Sequence, residues 1–137
     1  MERVYTTPRL DKLGVKPGAR VAIVGVPDPD LRIELATRTH DLTDGDPLPD
    51  TDVVLLAADS WAELGALPGL RDRIVANGAI WVVSRKGKAA TLRDVDVIAA
   101  ARASGLVDNK VASFSATHTA LRLVIPIAQR GEARPAD

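Results

Sequence analysis

Three strongly apolar runs constrain the fold of this 137-residue chain more than any other feature. They lie at Val21–Val24, Asp52–Ala58 and Ala79–Ser84. An almost unbroken apolar run is typical of a parallel strand that is covered on both faces, whereas a half-exposed strand alternates. Only 3% of the residues are aromatic, so Val, Leu, Ile and Ala must build the core. The runs therefore predict an α/β protein.

Helix starts follow the first two runs. Asp28 is a typical N-cap, and Pro29 suits the first helical position, so a helix is predicted from there to about Arg38. Ser60-Trp-Ala-Glu63 is a capping-box pattern directly after the second run. Strand and helix thus alternate, as in a doubly wound fold.

Residues that break or cap helices predict the limits of the remaining helices. Pro68-Gly69 is expected to break or kink the second helix, which resumes through Ile74 and ends at Asn77-Gly78. Thr91 is expected to cap a further helix that ends at Gly105.

The two ends and one internal segment complete the prediction. Residues 1–19 read as an arm and turn, 20–128 as a single domain and 129–137 as a disordered tail. Within Thr39–Asp52 we expect a short edge strand. The region after Gly105 reads as two strands joined at Ser115–His118, which only an antiparallel hairpin allows. The predicted fold is α/β and doubly wound, with a mostly parallel sheet and a C-terminal antiparallel hairpin.

Composition excludes several classes of function. Eighteen basic and eighteen acidic residues give zero net charge, which argues against nucleic acid and anionic membranes as partners. There is no cysteine, and His40 and His118 lie far apart, so no metal site is predicted. No apolar stretch reaches the length of a membrane span, and a cytoplasmic protein is expected.

Four segments together resemble an uncharacterised family of small bacterial proteins, a domain of unknown function. They are Lys12–Val21, the Asp52 strand with Trp61–Leu64, the Trp81-Val-Val strand, and Gly105–Val111. The resemblance covers about residues 10 to 125. It implies a Rossmann-like fold that is a compact relative of the class I methyltransferases, with no assigned activity.

Ligands of open α/β sheets bind outside the carboxyl ends of the strands, so the residues there are the candidate ligand-binding residues. These are Gly25, Asp28, Asp59, Arg85, Lys86, Lys88 and His118. The basic loop before Thr91 is either an anion site or a solvated loop. His118 is either a general base or an exposed turn residue.

The turn after the first strand decides the functional prediction. Gly25 is followed by Val26, Pro27 and Pro29, so the turn lacks the glycines and the N–H donors of a nucleotide cradle. An acid ending the second strand, Asp41 or Asp44, can hold a ribose. We therefore expect a non-catalytic binding or interaction module without cofactor or metal, self-associating as a homodimer or binding a small anionic ligand or a protein. The alternative is a minimal enzyme or sensor for an adenosine- or phosphate-containing ligand, with methylation from S-adenosylmethionine least favoured.

Overall fold

The computed structural model describes residues 8–130, which form one six-stranded sheet with helices on both faces. The strands are β1 (Val21–Val24), β2 (Leu42–Asp44), β3 (Thr51–Ala57), β4 (Ile74–Arg85), β5 (Val107–Ser113) and β6 (His118–Val124). The helices are α1 (Arg9–Lys12), α2 (Pro29–Ala36), α3 (Trp61–Leu64), α4 (Leu67–Arg71) and α5 (Asp94–Ala103), and 3-10 turns occupy Gly87–Ala89 and Ile127–Gln129.

The strand order in the sheet is β2-β1-β3-β4-β6-β5. The first four strands in this order are parallel, and β6 runs antiparallel between β4 and β5. The doubly wound, mostly parallel sheet with a C-terminal antiparallel hairpin is therefore confirmed. Strands β2 and β5 lie at the edges, and self-association through an edge stays a prediction, as do the domain limits.

Alternate residues of the central strands face two separate cores. Val54 and Leu56 of β3 pack with α3, α4 and α5, while Val53 and Leu55 pack with α1 and α2. This arrangement explains the unbroken apolar runs, because every side chain of these strands meets a covering layer.

The segment before β1 is structured, so its expected irregularity from residue 8 onward is wrong. Leu10, Leu13 and Val15 are each at most 5% exposed. The indole nitrogen Nε1 of Trp81 donates a hydrogen bond of 3.0 Å to the Leu13 carbonyl. The segment from Leu10 to Val15 is thus part of the core that covers one face of the sheet. The predicted tail lies almost wholly outside the described residues.

The helix after β3 is interrupted near Pro68, but its predicted continuation to Asn77-Gly78 is wrong. Helix α3 ends at Leu64, and Pro68 lies in the first turn of α4, where proline costs no hydrogen bond. Ile74 to Gly78 belong to β4, and Ile74 pairs with Thr51 of β3. The long-range pairing of this β-branched segment outweighs the local helix signal.

The helices of the described residues are short. The longest, α5, has 10 residues, and none is long and apolar enough to cross a membrane.

Gly78 tests the packing of this irregular part of β4. A Cβ atom there would lie 2.9 Å from the Asp52 carbonyl oxygen and 3.1 Å from that of Val75. We expect Gly78→Ala to lower the free energy of unfolding by about 1–3 kcal/mol, because backbone must move. Gly69→Ala in α4, where a Cβ meets nothing within 4 Å, is the matched control and should be neutral or stabilising. Urea denaturation measures both, and equal effects would contradict this account.

Candidate functional site at the carboxyl edge of the sheet

The candidate residues lie along one edge of the sheet, where the parallel strands end. Gly25 and Asp28 form the β1–α2 turn, and Asp59 follows β3. Arg85 ends β4 and is the cross-strand partner of His118, the first residue of β6. Lys86 and Lys88 follow in the same loop. The fold brings these residues to one edge, and their role in binding stays a prediction.

A cleft of about 240 Å³ lies between the β1–α2 turn and the tip of the β5–β6 hairpin. Its walls are Val26–Pro29 and Phe114–His118. Thr117 Oγ1 lies 2.8 Å from His118 Nδ1 and 3.3 Å from Ser115 Oγ. His118 is a partly buried strand residue, so its interpretation as an exposed turn residue is wrong. When Nδ1 donates its proton to Thr117, Nε2 is left as a proton acceptor.

A shallow groove of about 480 Å³ lies on the other side of the same turn. Ile23, Val26 and Leu31 give it an apolar wall, and Asp44 contributes a carboxylate. Asp44 ends β2 in register with Ile23, and its ion pair with Arg32 is largely exposed. Exposed ion pairs rearrange at little cost. The groove and the cleft share Val26–Pro29, so together they form one continuous candidate site.

The β1–α2 turn holds its shape through Gly25 and Asp28. Gly25 has a φ of +76°, a conformation that favours glycine. Asp28 caps α2, because its Oδ1 accepts from the N–H groups of Asp30 (3.1 Å) and Leu31 (3.2 Å). The predicted cap is thus confirmed, and it already uses donors that a bound anion would need.

Arg9 joins the turn to the hairpin, a contact that the sequence did not reveal. Its guanidinium binds Asp28 at 2.7 Å and Glu34 at 2.6 and 3.1 Å. It also donates to the Phe114 carbonyl at 3.1 Å and lies 4.6 Å from the centre of the Phe114 ring. Two carboxylates therefore face one cation beside the cleft.

This cluster shifts the pKa of Asp28. Burial raises the pKa, but the hydrogen bond and charge of Arg9 and the two backbone donors outweigh it, so the pKa lies below its ordinary value. Contacts with Glu34 and Asp28 likewise raise the pKa of Arg9 against the lowering effect of burial. Asp28 therefore stays ionised at neutral pH, and its charge is part of the site.

The basic loop differs from the predicted anion site. Arg85 is drawn to Asp59, whose Oδ1 accepts from the Arg85 backbone N–H at 2.8 Å. Lys86 Nζ donates to Ser113 Oγ at 3.0 Å. Helix α5 begins at Asp94, so the expected cap at Thr91 is wrong, and the Thr91 hydroxyl donates to the Asp59 carbonyl instead. Lys86 precedes the 3-10 turn and Lys88 lies within it, and residues 90–93 separate this turn from α5. The lysines therefore do not lie directly before the helix N-terminus, as the predicted anion site requires.

The overall fold of this chain is similar to that of solved methyltransferases. Magnesium protoporphyrin IX methyltransferase from Synechocystis, solved with bound S-adenosylmethionine, matches with a TM-score of 0.62 at 13% identity, covering 85% of this chain and 74% of that one. This chain has a class I methyltransferase fold. A putative type 11 methyltransferase from Sulfolobus solfataricus (TM-score 0.63, 12% identity, 85% and 88% covered) matches similarly. So does precorrin-6y C5,15-methyltransferase from Geobacter metallireducens (0.62, 10%, 85% and 85%).

No protein-family profile matches the sequence, and no curated protein is significantly similar to it. Because the sequence identities are only 10–13%, the similarity to these methyltransferases establishes the fold alone.

The expectation of a non-catalytic module is corrected by these comparisons. It rested on the missing glycines of one turn, whereas several solved structures that share the fold are methyltransferases by name. The error was to treat one altered turn as the loss of a whole site, although the groove and cleft beside that turn remain open.

The lowered pKa of Asp28 predicts a pH dependence of folding. The folded state keeps this carboxylate charged to lower pH than the unfolded chain does, so its contribution is present above the ordinary value of 3.8 and is lost as pH falls through the folded pKa. Asp28→Asn keeps the cap but removes the charge. We expect the wild type to exceed this variant in free energy of unfolding at neutral pH, with the difference shrinking below about pH 4. Urea denaturation across pH measures it, and a pH-independent difference would disprove the assignment.

Proposed function

We propose that this chain binds S-adenosylmethionine in the groove beside β1 and β2 and transfers its methyl group to a small acceptor held in the cleft. The observation that carries the proposal is the adjacency of the two cavities across Val26–Pro29, on a methyltransferase fold. Two ligands that must react need two sites that share a wall.

The groove fits the adenosine part of this cofactor. Apolar side chains line it, as a flat base requires, and the Asp44 carboxylate can accept hydrogen bonds from two ribose hydroxyls. Asp44, at the end of β2, meets the requirement for an acid there, while Asp41 lies before the strand and pairs with Arg20 at 3.0 Å.

The amino-acid part of S-adenosylmethionine would lie against the β1–α2 turn, which is not glycine-rich. Pro27 and Pro29 offer no N–H groups, so the backbone cannot cradle a carboxylate as a glycine-rich turn does. Side chains take that place: the Asp28 carboxylate can accept from an ammonium group, and Arg9 is the cation beside it. The cofactor would thus be held by charged side chains where glycine-rich turns use backbone.

Bound S-adenosylmethionine supplies an electrophilic methyl group. The chain itself must take the proton that an N–H or O–H acceptor loses. His118 borders the cleft and is oriented by Thr117, whose carbonyl accepts from the Lys86 N–H at 3.1 Å. We assign His118 Nε2 as the proton acceptor, with Nδ1–H donating to Thr117.

Cofactor binding is the first test. Isothermal titration calorimetry with S-adenosylmethionine and S-adenosylhomocysteine should show saturable binding, and Asp44→Asn should weaken it about tenfold or more, because a charge-assisted hydrogen bond is worth roughly 1.5–3 kcal/mol. Asp46→Asn, an exposed acid outside the groove, is the matched control. Absence of binding of both compounds at millimolar concentration would disprove the proposal.

The role of His118 is tested separately. Transfer of labelled methyl groups from S-adenosylmethionine to a low-molecular-weight cell extract should fall about 10²-fold or more in His118→Asn, since general bases contribute about 10²–10⁴-fold. Cofactor binding by this variant should be unchanged. His40→Asn, remote in the fold from the cleft, is the control. Equal transfer by His118→Asn and wild type would rule out His118 as the base.

A further inference from the structure

A separate cavity, of about 410 Å³, opens at the opposite, amino edge of the sheet. The starts of β1, β3 and β4 form one wall, and the loop from Leu13 to Ala19 forms another. Arg122 of β6 borders both this cavity and an adjoining hollow of about 240 Å³ that Lys12 and Lys110 also line. This concave surface shares no residue with the methyltransferase cleft.

Arg122 is half-buried and has no ion-pair or hydrogen-bond partner for its side chain among residues 8–130. The two carboxylates that line the cavities are engaged elsewhere. Asp52 accepts from the Arg20 backbone N–H at 2.9 Å, and Asp11 pairs with Arg38 at 2.7 Å. The cavity therefore holds an arginine whose charge the described residues do not neutralise.

The neighbours of Arg122 are themselves cationic. Lys110 is its direct cross-strand partner on β5, and Lys16 lines the larger cavity. Burial and the charge of Arg130 lower the pKa of Arg122. Like charges directly across a strand pair destabilise a sheet. An arrangement that costs stability in the free protein is explained when a ligand supplies the missing negative charge.

We propose that Arg122, with Lys110 and Lys16, forms a binding site for a small phosphate-bearing ligand at the amino edge of the sheet. The guanidinium presents five N–H donors in a planar fork, which matches two oxygens of a phosphate group. The lysines add charge without fixed geometry. The size of the cavity is that of small-molecule sites, which favours a metabolite over an extended polymer. This site is independent of the methyltransferase proposal.

Calorimetric titration of the full chain at constant ionic strength, in chloride buffer, tests the site. The probes are inorganic phosphate, pyrophosphate and adenosine monophosphate, which distinguish free phosphate from a phosphate ester. We expect saturable binding of at least one probe, weakened tenfold or more by Arg122→Met, which keeps the packed stem and removes the charge. Arg102→Met, at an exposed position of α5 that borders none of the cavities described above, is the matched control and should bind as the wild type does.

Arg122→Met should also remove an unfavourable interaction between positive charges. Without the repulsion from Lys110 and Arg130, the unfolding midpoint of Arg122→Met in phosphate-free buffer should equal or exceed that of the wild type. Lys110→Met serves as a second variant that weakens phosphate binding if Arg122→Met does not fold. No binding of any probe by the wild type at several millimolar, or equal binding by wild type and the folded variants, would overturn the proposal.

Discussion

The structure depends on one constraint: the central strands are apolar on both faces, so both faces must be covered. Helices α3, α4 and α5 cover one face, and α1 and α2 cover the other. Covering the second face also requires the segment from Arg9 to Val15. The Leu13 carbonyl in this segment accepts a hydrogen bond from the buried Trp81 N–H. A buried donor without a partner is costly, so this bond fixes where the arm lies. Its position in turn sets Arg9 at the carboxyl edge.

The same arm thus shapes both ends of the sheet. At the carboxyl edge, Arg9 links the β1–α2 turn to the hairpin through Asp28, Glu34 and the Phe114 carbonyl. At the amino edge, the loop that follows α1 forms one wall of the Arg122 cavity. One segment that packs against the core therefore lines the amino-edge cavity and also links the two walls of the carboxyl-edge cleft.

Two of the three predicted helix caps are confirmed, because their signals are local, whereas the cap expected at Thr91 is wrong. Asp28 caps α2 and Ser60 caps α3, as their side chains and spacing predict. The segment Ile74–Gly78 is a strand and not the predicted helix, because its conformation depends on pairing with Thr51, more than twenty residues before it in the chain. Burial of the two tryptophans likewise depends on tertiary contacts, since Trp61 is 55% exposed while Trp81 is fully buried.

The functional prediction failed for a related reason. A missing glycine motif is visible in sequence, whereas a groove made by β1, α2 and the end of β2 is not. Likewise, nothing marks Arg122 in the sequence, since its isolation depends on which carboxylates other arginines bind. Sequence alone determined the α/β class, the central apolar strand segments and the capped starts of α2 and α3, because these follow from short-range periodicity and hydrogen bonding. Only the tertiary structure decided the strand order, the Arg9 cluster and the cavities at both edges of the sheet, because they arise from contacts between segments far apart in the chain.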